Sequence, residues 1–547
     1  MNPRVRRDRL VLVGLIALFV GLSVQQFRIH PQLGVDEIYY LDYVAKSPSL
    51  GLRIGEQVGA EATSTAACKG IEAWPEVLIP DCDDPQPNPN QLWQQGYNVA
   101  FQHPPGYFSL TWVGGKVFSW VPGVDDPLTA YRLTGTVWMA VGMTLLWYAL
   151  TLAGIGVVVK AAVVSLLGAP AAVVYLSASV HPGNVQLVGG ALLLVALMLW
   201  ELGRWRWWSV PIVAAVVVWL NFNNAMAVGT LVVYLVYRAW RDRDQRGDLL
   251  ITAAWSFAVT IGSVIGWQVW QNSRKLADVD DLPIHQVTWG KSGFQWQQVD
   301  DELRAVFTPF RDNWLQTWDV LTPVTGIADV GLVVMMGATL AVAASRSTHR
   351  HLVAAVVTAM IGAGLVTMLS TYAAGYNYFQ LTPARYGLAI LPFGAVAIAP
   401  ALRQIALARA MTVALALITC AAISYGVITS SSSTADFEVS QELAREMLIA
   451  DQQRLIADLE DLFEDSEQLI GMQERLIADL EDLVQARDQT ISEQRQLIGE
   501  LGGLLEAPEL LIADQQRLIG ELEELLAVYR CQFETDQHLV PGGCEVE

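Results

Sequence analysis

Long apolar stretches, separated by short polar segments, fill most of the chain up to about residue 430. A helix of about 20 apolar residues crosses roughly 30 Å of hydrocarbon. The first stretch, 10–26, follows four arginines, and ten more come after it: 129–152, 160–180, 184–203, 209–225, 226–240, 249–270, 327–345, 352–373, 386–402 and 409–429. The sequence therefore predicts an all-α polytopic membrane protein with about eleven transmembrane helices.

The basic residues predict the orientation of these spans. With eleven spans and a cytoplasmic N-terminus, almost every basic cluster faces the cytoplasm, as the positive-inside rule requires: 204–206, 238–246, 346–351 and 403–409. The extracytoplasmic side then receives a large first loop at 28–128, the segment 271–326 and the whole C-terminal tail. The apolar stretch 107–121 is short, and we expect it to lie on the outer membrane surface; if it spanned, the basic clusters would fall on the wrong side.

Composition agrees with a membrane protein and separates the chain into two parts. Hydrophobic residues make up 53% and charged residues only 16%, which is unlike an ordinary soluble protein. The net charge of −20 is almost all in residues 431–547, which hold 28 acidic and 7 basic residues, whereas residues 1–430 are nearly neutral. We therefore predict a membrane domain at 1–430 and an acidic extracytoplasmic tail. This charge disfavours nucleic acid as a partner, since phosphate contacts need Lys and Arg.

The cysteines fit the same topology. Cys68 and Cys82 lie in the first outer loop, and Cys531 and Cys544 lie at the end of the tail. Both pairs are predicted to be extracytoplasmic, where disulfides persist. Cys420 lies in an apolar span and is expected to be inert.

The tail contains four repeats of 21 residues over 448–531. Leu459, Leu480, Leu501 and Leu522 share this spacing, and 21 residues are three heptads, which is typical of a coiled coil. Gly502-Gly503 and Pro508 predict a helix break between a helix ending near residue 501 and a second helix at about 509–530. The tail could self-associate as a stalk, form a hairpin or bind a specific partner in the cell envelope.

Polar residues that could carry chemistry collect on the predicted outer face. They form four segments: Asp36-Glu37, His103-Pro104-Pro105-Gly106-Tyr107-Phe108, His181-Pro182-Gly183-Asn184, and Arg385-Tyr386 with Leu391-Pro392. No series of ionisable residues crosses the middle of the spans, which weakens the hypothesis of a proton-coupled transporter.

These segments resemble those of the C-type glycosyltransferases, which take a sugar from a polyprenyl-phosphate carrier at the outer or lumenal membrane face. The superfamily includes protein O-mannosyltransferases, the lipid A aminoarabinose transferase and mycobacterial arabinofuranosyltransferases. Its acidic pair early in the first outer loop is matched by Asp36-Glu37, and its [H/K]-P-P element is matched at His103. The late Arg-Tyr element, Arg385-Tyr386, is similar to that of bacterial membrane proteins grouped with these enzymes. The likeness covers residues 1–430 in topology and leaves out the tail.

The resemblance implies a role for each residue, and each residue also has a structural alternative. Asp36, or less readily Glu37, would be the base that accepts the proton of the acceptor hydroxyl; alternatively, Asp36 caps the helix that starts at Ile38. His103, Arg132, Arg385 and Tyr386 would bind the substrate, with a guanidinium holding the lipid phosphate. His103 could instead stiffen a turn, and either arginine could be an interfacial anchor.

The sequence thus predicts an inverting glycosyltransferase of a cell envelope, in a multi-pass bacterial plasma membrane. It would use a polyprenyl-phosphate sugar on the extracytoplasmic face and a glycan, lipid or protein as acceptor. No cofactor is indicated with certainty, although Asp81, Asp83 and Asp84 could bind a divalent cation. The alternatives are a flippase or transporter for a lipid-linked glycan, and a non-catalytic scaffold that acts through its coiled-coil tail.

Overall fold

The computed structural model describes residues 3–34, 36–49, 51–71, 81–84, 88, 92–277, 337, 350–373, 384–429 and 437–536. Contacts divide the chain into two units, Met1–Ser432 and Ser433–Glu547. In the described residues every regular element is a helix, and β pairing is limited to isolated bridges between Leu33 and Ile71 and between Gln57 and Tyr97.

Fourteen of the described α-helices belong to the first unit. In chain order they are α1 Pro3–Ile29, α2 Glu37–Lys46, α3 Ala60–Lys69, α4 Gly106–Phe118, α5 Pro127–Leu152, α6 Val157–Gly168, α7 Ala171–Ala178, α8 Asn184–Glu201, α9 Ser209–Leu220, α10 Ala225–Arg241, α11 Arg246–Ser273, α12 Arg350–Ala373, α13 Leu391–Gln404 and α14 Ala406–Thr429.

Six helical segments in the described part are long and apolar enough to cross a membrane: Val5–Ile29, Pro127–Leu152, Asn184–Glu201, Arg243–Ser273, Gly387–Gln404 and Ala406–Ile428. The pair α6 and α7 makes a seventh if it is one span. The protein is therefore an all-α, multi-pass membrane protein, as the sequence predicts. The expected span at 327–345 lies outside the described residues, and the total of eleven stays a prediction.

Two of the expected spans are interrupted for visible reasons. The stretch 160–180 bends by 70° between α6 and α7, where Pro170 cannot donate a helical hydrogen bond. The asparagines after Leu220 end α9, and their side chains bond the neighbouring backbone. Asn221 Nδ2 donates to Pro182 O at 2.7 Å, and Asn224 Nδ2 donates to Val217 O at 2.7 Å. A long apolar run thus becomes the two short helices α9 and α10.

The segment between α1 and α5 has a core of its own. One cluster of buried apolar side chains lies among the apolar helices from α1 to α14, and a second joins α2, α3 and α4 with the start of α5. The apolar stretch at 107–121 is the 13-residue helix α4, which is about 20 Å long and too short to span. The Cys68–Cys82 disulfide forms as expected. Cys420 is a half-buried free cysteine.

The second unit contains α15, Phe437–Asp536, a continuous helix of 100 residues. The expected break at Gly502-Gly503 and Pro508 is therefore wrong. An internal proline costs about 3 kcal/mol but removes a single backbone donor, and strong helix formers, chiefly Leu, Glu and Ala, surround these positions. The proposed disulfide between Cys531 and Cys544 lies outside the described side chains.

Candidate functional site

Glu37 and Arg132 form a buried ion pair where four segments meet. Arg132 Nε lies 2.9 Å from Glu37 Oε1, and Arg132 Nη2 lies 2.6 Å from Glu37 Oε2. Glu37 is 3% exposed and Arg132 4% exposed. The parallel geometry satisfies both oxygens at once, which is the strongest form of a carboxylate–guanidinium contact.

Backbone groups complete this ion pair. The Glu37 carboxylate also accepts hydrogen bonds from Gly34 N at 2.9 Å and Val180 N at 2.7 Å. Arg132 donates to the carbonyls of His30 at 3.2 Å and Gln32 at 2.6 Å. The pair therefore ties the end of α1, the start of α2, the helix α5 and the turn before α8 to one point.

Asp36 stands directly before α2, at its N-cap position, and makes no side-chain capping hydrogen bond. It is half-buried, whereas the next residue, Glu37, is buried. Successive helix residues point about 100° apart, so the two carboxylates face different surroundings. Because no backbone N–H of α2 donates a hydrogen bond to the Asp36 side chain, this side chain does not cap the helix. Burial of Tyr39, and secondly the nearby charge of Asp36, raise the pKa of Tyr39 well above its ordinary value.

Tyr40 lies between two histidines from distant parts of the sequence. Its ring centroid is 5.7 Å from that of His103 and 4.8 Å from that of His181, both in edge-on arrangements. Tyr40 is one helical turn after Asp36, on the same face of α2. Three of the four polar segments therefore come together at α2.

The His-Pro-Pro element is fixed against α2 through aromatic packing. The rings of Tyr43 and Phe108 stack with centroids 3.9 Å apart, and Tyr43 Oη donates to His103 O at 3.1 Å. Gly106 is required by its surroundings, since a Cβ there would lie 2.4 Å from Trp219 O. The element is thus a packed support for the half-buried His103 side chain.

A second buried carboxylate, which the sequence analysis did not single out, holds the first loop to α2. Asp42 accepts hydrogen bonds from Gly59 N at 2.8 Å, from Asn98 Nδ2 at 2.7 Å and from Lys46 Nζ at 2.8 Å. Burial raises the pKa of the Asp42 carboxyl, while Lys46 acts in the opposite direction. All these partners are within the protein, which indicates a structural role.

Arg385 and Tyr386 lie in a 3₁₀ helix, Ala384–Ala389, directly before α13. This 3₁₀ helix packs on α8 so closely that a Cβ on Gly190 would lie 2.0 Å from Ala389 O. The Arg-Tyr element is thus next to the helix that follows the His181 turn. The side chains of Arg385 and Tyr386 lie outside the described part, so their separation from Asp36 stays a prediction.

Gln186, another residue that the sequence analysis missed, faces this 3₁₀ helix. It precedes Gly190 by four residues and therefore shares its face of α8. The Gln186 side chain is 0% exposed, and neither its Nε2 nor its Oε1 has a hydrogen-bond partner in the described residues. Such a group costs about 1–3 kcal/mol and calls for an explanation. No pattern of spacing or hydrophobicity could have marked it, since it is one polar residue inside an apolar helix.

An open apolar groove of about 490 Å³ runs along α5 between α1 and α4. Its walls include Val20 from α1, Phe118 from α4, and Leu133, Val137 and Val141 from α5. The groove is lined by apolar side chains and threonines, and neither Glu37 nor Arg132 is among its lining residues.

The described residues contain no group of three or more His, Cys, Asp or Glu that could hold a metal ion. Asp81, Asp83 and Asp84 are exposed, and Asp81 Oδ1 accepts a hydrogen bond from Asp83 N at 3.0 Å, as in an ordinary turn. A divalent cation at this segment stays a prediction.

No protein-family model matches this chain, and no curated protein does either. In a comparison with solved structures, the chain is similar to ArnT from Cupriavidus metallidurans bound to undecaprenyl phosphate, with 15% sequence identity and a TM-score of 0.39. The match covers 72% of this chain. The chain spans 60% of the length of that structure.

Proposed function

We propose that this protein is an inverting glycosyltransferase that takes a sugar from a polyprenyl-phosphate donor on the extracytoplasmic face of the plasma membrane. The observation that carries the proposal is the arrangement at the start of α2. A half-buried carboxylate, Asp36, is held beside a rigid, fully paired anchor and does not cap its helix. Around it the segments of His103 and His181 converge on Tyr40.

Asp36 is the proposed base. The acceptor hydroxyl attacks the anomeric carbon of the donor, the bond from that carbon to the phosphate oxygen breaks, and the hydroxyl proton passes to the Asp36 carboxylate. The electron pair of the broken bond leaves on the lipid phosphate. A single displacement of this kind inverts the anomeric centre, by analogy with inverting hydrolases, and a positioned carboxylate base contributes about 10²–10⁴-fold.

In this proposal Glu37 and Arg132 position the base rather than touch the substrate. Every oxygen of Glu37 already accepts strong hydrogen bonds, two from Arg132 and two from backbone amides. These hydrogen bonds occupy both oxygens and hold the carboxylate inside the protein. The pair is therefore better suited to holding Asp36 at a fixed place than to chemistry.

The charge on the leaving phosphate requires donors. Arg385 is the proposed cation, with Tyr386 beside it, because the 3₁₀ helix that carries them packs on α8, just beyond the His181 turn. The buried amide of Gln186 on the facing side of α8 adds a donor that has no partner among the described residues. His103, half-buried against Tyr40, would contact the same phosphate or the sugar.

The hydrocarbon chain of the donor requires an apolar path that is open to the membrane. The groove along α5 offers one, since it is open and is lined by Leu133, Val137 and Val141. The acceptor in this proposal is an envelope glycan, lipid or protein.

The test uses membranes that contain the full-length protein and a panel of radiolabelled polyprenyl-phosphate sugars. We expect one donor to lose its label to an acceptor, and Asp36→Asn to abolish that transfer, about 10²–10⁴-fold, at unchanged protein amount. Arg385→Ala should raise the donor concentration that is required more than the acceptor concentration.

Asp42→Asn is the matched control, since Asp42 is another carboxylate of α2 but is fully paired inside the protein. It should lower stability and leave transfer by the folded fraction intact. Full transfer by Asp36→Asn would overturn the assignment of the base. No transfer from any donor, with movement of a lipid-linked glycan across the membrane unaffected by Asp36→Asn, would favour the flippase.

A further inference from the structure

The tail helix α15 carries an apolar stripe with an unbroken period of seven residues. Each of twelve heptads between 448 and 531 opens with two adjacent apolar residues, with Thr490 as the one polar member: Leu448-Ile449, Leu455-Ile456, Leu462-Phe463, Leu469-Ile470, Leu476-Ile477, Leu483-Val484, Thr490-Ile491, Leu497-Ile498, Leu504-Leu505, Leu511-Ile512, Leu518-Ile519 and Leu525-Leu526. A leucine joins the stripe three residues after the pair in every third heptad.

The described side chains of the stripe are exposed, apart from Ile491, which is half-buried. Leu476 is 59% exposed, Ile498 68% and Leu525 61%. These residues lie on one continuous helix of 100 residues, so the tail does not fold back on itself as a hairpin. An apolar surface of this length, left open to water, marks a binding surface.

The period restricts what can cover this surface. A straight α-helix has 3.6 residues per turn, so a seven-residue repeat drifts by about 20° in each heptad, or about 220° over the eleven steps from Leu448 to Leu525. The stripe therefore winds more than halfway round the helix. A flat surface meets only part of such a stripe, whereas a helix with the same period coils around it over its full length.

We propose that the occupant is a second copy of this chain, aligned parallel and in register with the first. Its tail has the same period by identity and the same length. Each copy leaves the membrane after the same apolar helix, so both tails start from the same side.

The register follows from the fifth residue of each heptad. Four heptads have leucine there: Leu459, Leu480, Leu501 and Leu522. Four others have glutamine: Gln452, Gln473, Gln494 and Gln515. In-register pairing sets leucine against leucine and amide against amide, and paired amides inside a coiled coil specify register. A shift by one or two heptads would set leucines mostly against polar residues. A shift by three heptads restores these pairs but leaves one of the four 21-residue repeats of each helix unpaired, so the in-register pairing buries the most apolar surface.

One pair of facing residues, Arg487 in each copy, disfavours the parallel in-register pairing. Arg487 occupies the fifth position of its heptad, so in-register alignment brings two guanidinium groups together. The described contact of Arg487 is a weak one, with Asp488 Oδ1 at 3.8 Å and both side chains mostly exposed. Replacing this arginine by leucine should therefore strengthen self-association, which a merely solvated helix would not show.

The first test is disulfide crosslinking of the full-length protein in membranes, with one cysteine added at a time. Leu480→Cys and Leu522→Cys place a thiol in the stripe, and their matched controls Asp482→Cys and Glu524→Cys place one two residues further on, at the opposite face. Cys531→Ser and Cys544→Ser are present in all four, with the chain lacking any added cysteine as background. Both stripe variants should give at least about ten times more covalent dimer than their controls, since only the stripe faces the partner.

Three outcomes would overturn the proposal. Equal crosslinking at stripe and control positions would mean random collision, and no crosslinking at any position would mean no pairing. Crosslinking at Leu480→Cys or at Leu522→Cys alone would indicate antiparallel helices, since an antiparallel pair brings a residue against its own copy only at the centre of symmetry.

The second test measures co-purification of two differently tagged full-length copies. Arg487→Leu should increase the fraction of mixed complexes, and Leu480→Arg should decrease it, each by about threefold or more if these layers lie in the interface. A decrease on Arg487→Leu, or no effect of Leu480→Arg, would contradict the pairing. Transfer activity plays no part in either readout, so these tests can fail while the proposed glycosyltransferase stands.

Discussion

The region around α2 and the tail helix α15 depart from ordinary burial in opposite ways. Around α2 polar groups are buried: Glu37, Arg132 and Asp42 are at most 4% exposed. In α15 apolar groups are exposed, with leucines such as Leu480 more than half accessible. Both departures are costly unless something compensates for them. In the first region the compensation is within the chain, and in the second we infer that it comes from another copy.

The two regions differ in what their unusual side chains do: those around α2 fix a geometry, whereas those of α15 bind a partner. The charges around α2 are satisfied by fixed hydrogen bonds, which hold neighbouring groups at one geometry, as a catalytic site requires. Among the described residues of its unit, the stripe of α15 has no such fixed partner, and its repeated pattern matches a surface that repeats with it. Substitutions that remove one of these compensating interactions at a time test this difference between the two regions.

The largest effect is expected from breaking the buried ion pair. Glu37→Gln leaves the Arg132 cation buried without a counterion, which typically costs about 3–5 kcal/mol. We expect a large fall in the thermal unfolding midpoint of the purified protein in detergent. Asp36→Asn, next in sequence, should leave the midpoint nearly unchanged. A small effect of Glu37→Gln, with loss of transfer by the folded protein, would instead return Glu37 to the role of base.

A smaller effect of opposite sign is expected at Gln186. Gln186→Leu removes two buried polar atoms that have no partner in the described residues, and should raise stability by about 1–3 kcal/mol. If the amide binds the donor, transfer falls at the same time, through a higher donor requirement. Gln271→Leu in α11 is a useful control, because the Gln271 Nε2 donates to Leu52 O and Phe101 O. That change should destabilise. Loss of stability on Gln186→Leu would contradict this account.

The fold was predictable where hydrophobicity alone decides it. The apolar stretches predicted helices such as α5 and α8 closely, and the charge step near residue 430 suggested the same division that the contacts show. The sequence predicts a break at Pro508, whereas the strong helix formers on both sides keep the helix continuous. The bend at Pro170 was missed, since a long apolar run hid the proline.

The site was only partly predictable. Asp36, Glu37, Arg132 and His103 were recognised as polar residues in special places, but their pairing depends on packing between distant segments. Nothing in the spacing of Glu37 and Arg132, which are 95 residues apart, indicates that they meet. Tyr40 could have been found from its position four residues after Asp36, whereas the burial of Gln186 depends on how α8 packs against the 3₁₀ helix.

The smallest expected effect is on the pH dependence of stability, through His30, whose carbonyl accepts a hydrogen bond from Arg132. Burial, and then the neighbouring Arg132 cation, lower the pKa of the half-buried His30 below its ordinary value. A base with a lowered pKa in the folded state stabilises the fold fully above its unfolded pKa of about 6.5, and this contribution is lost as the pH falls through the folded value. The unfolding midpoint should therefore fall on acidification from about pH 7.5 to about pH 5.5. His30→Gln should make that fall shallower. An identical pH dependence in the wild type and His30→Gln would contradict the prediction, because it would show that neither burial nor the Arg132 cation lowers the pKa of His30 enough to affect folding.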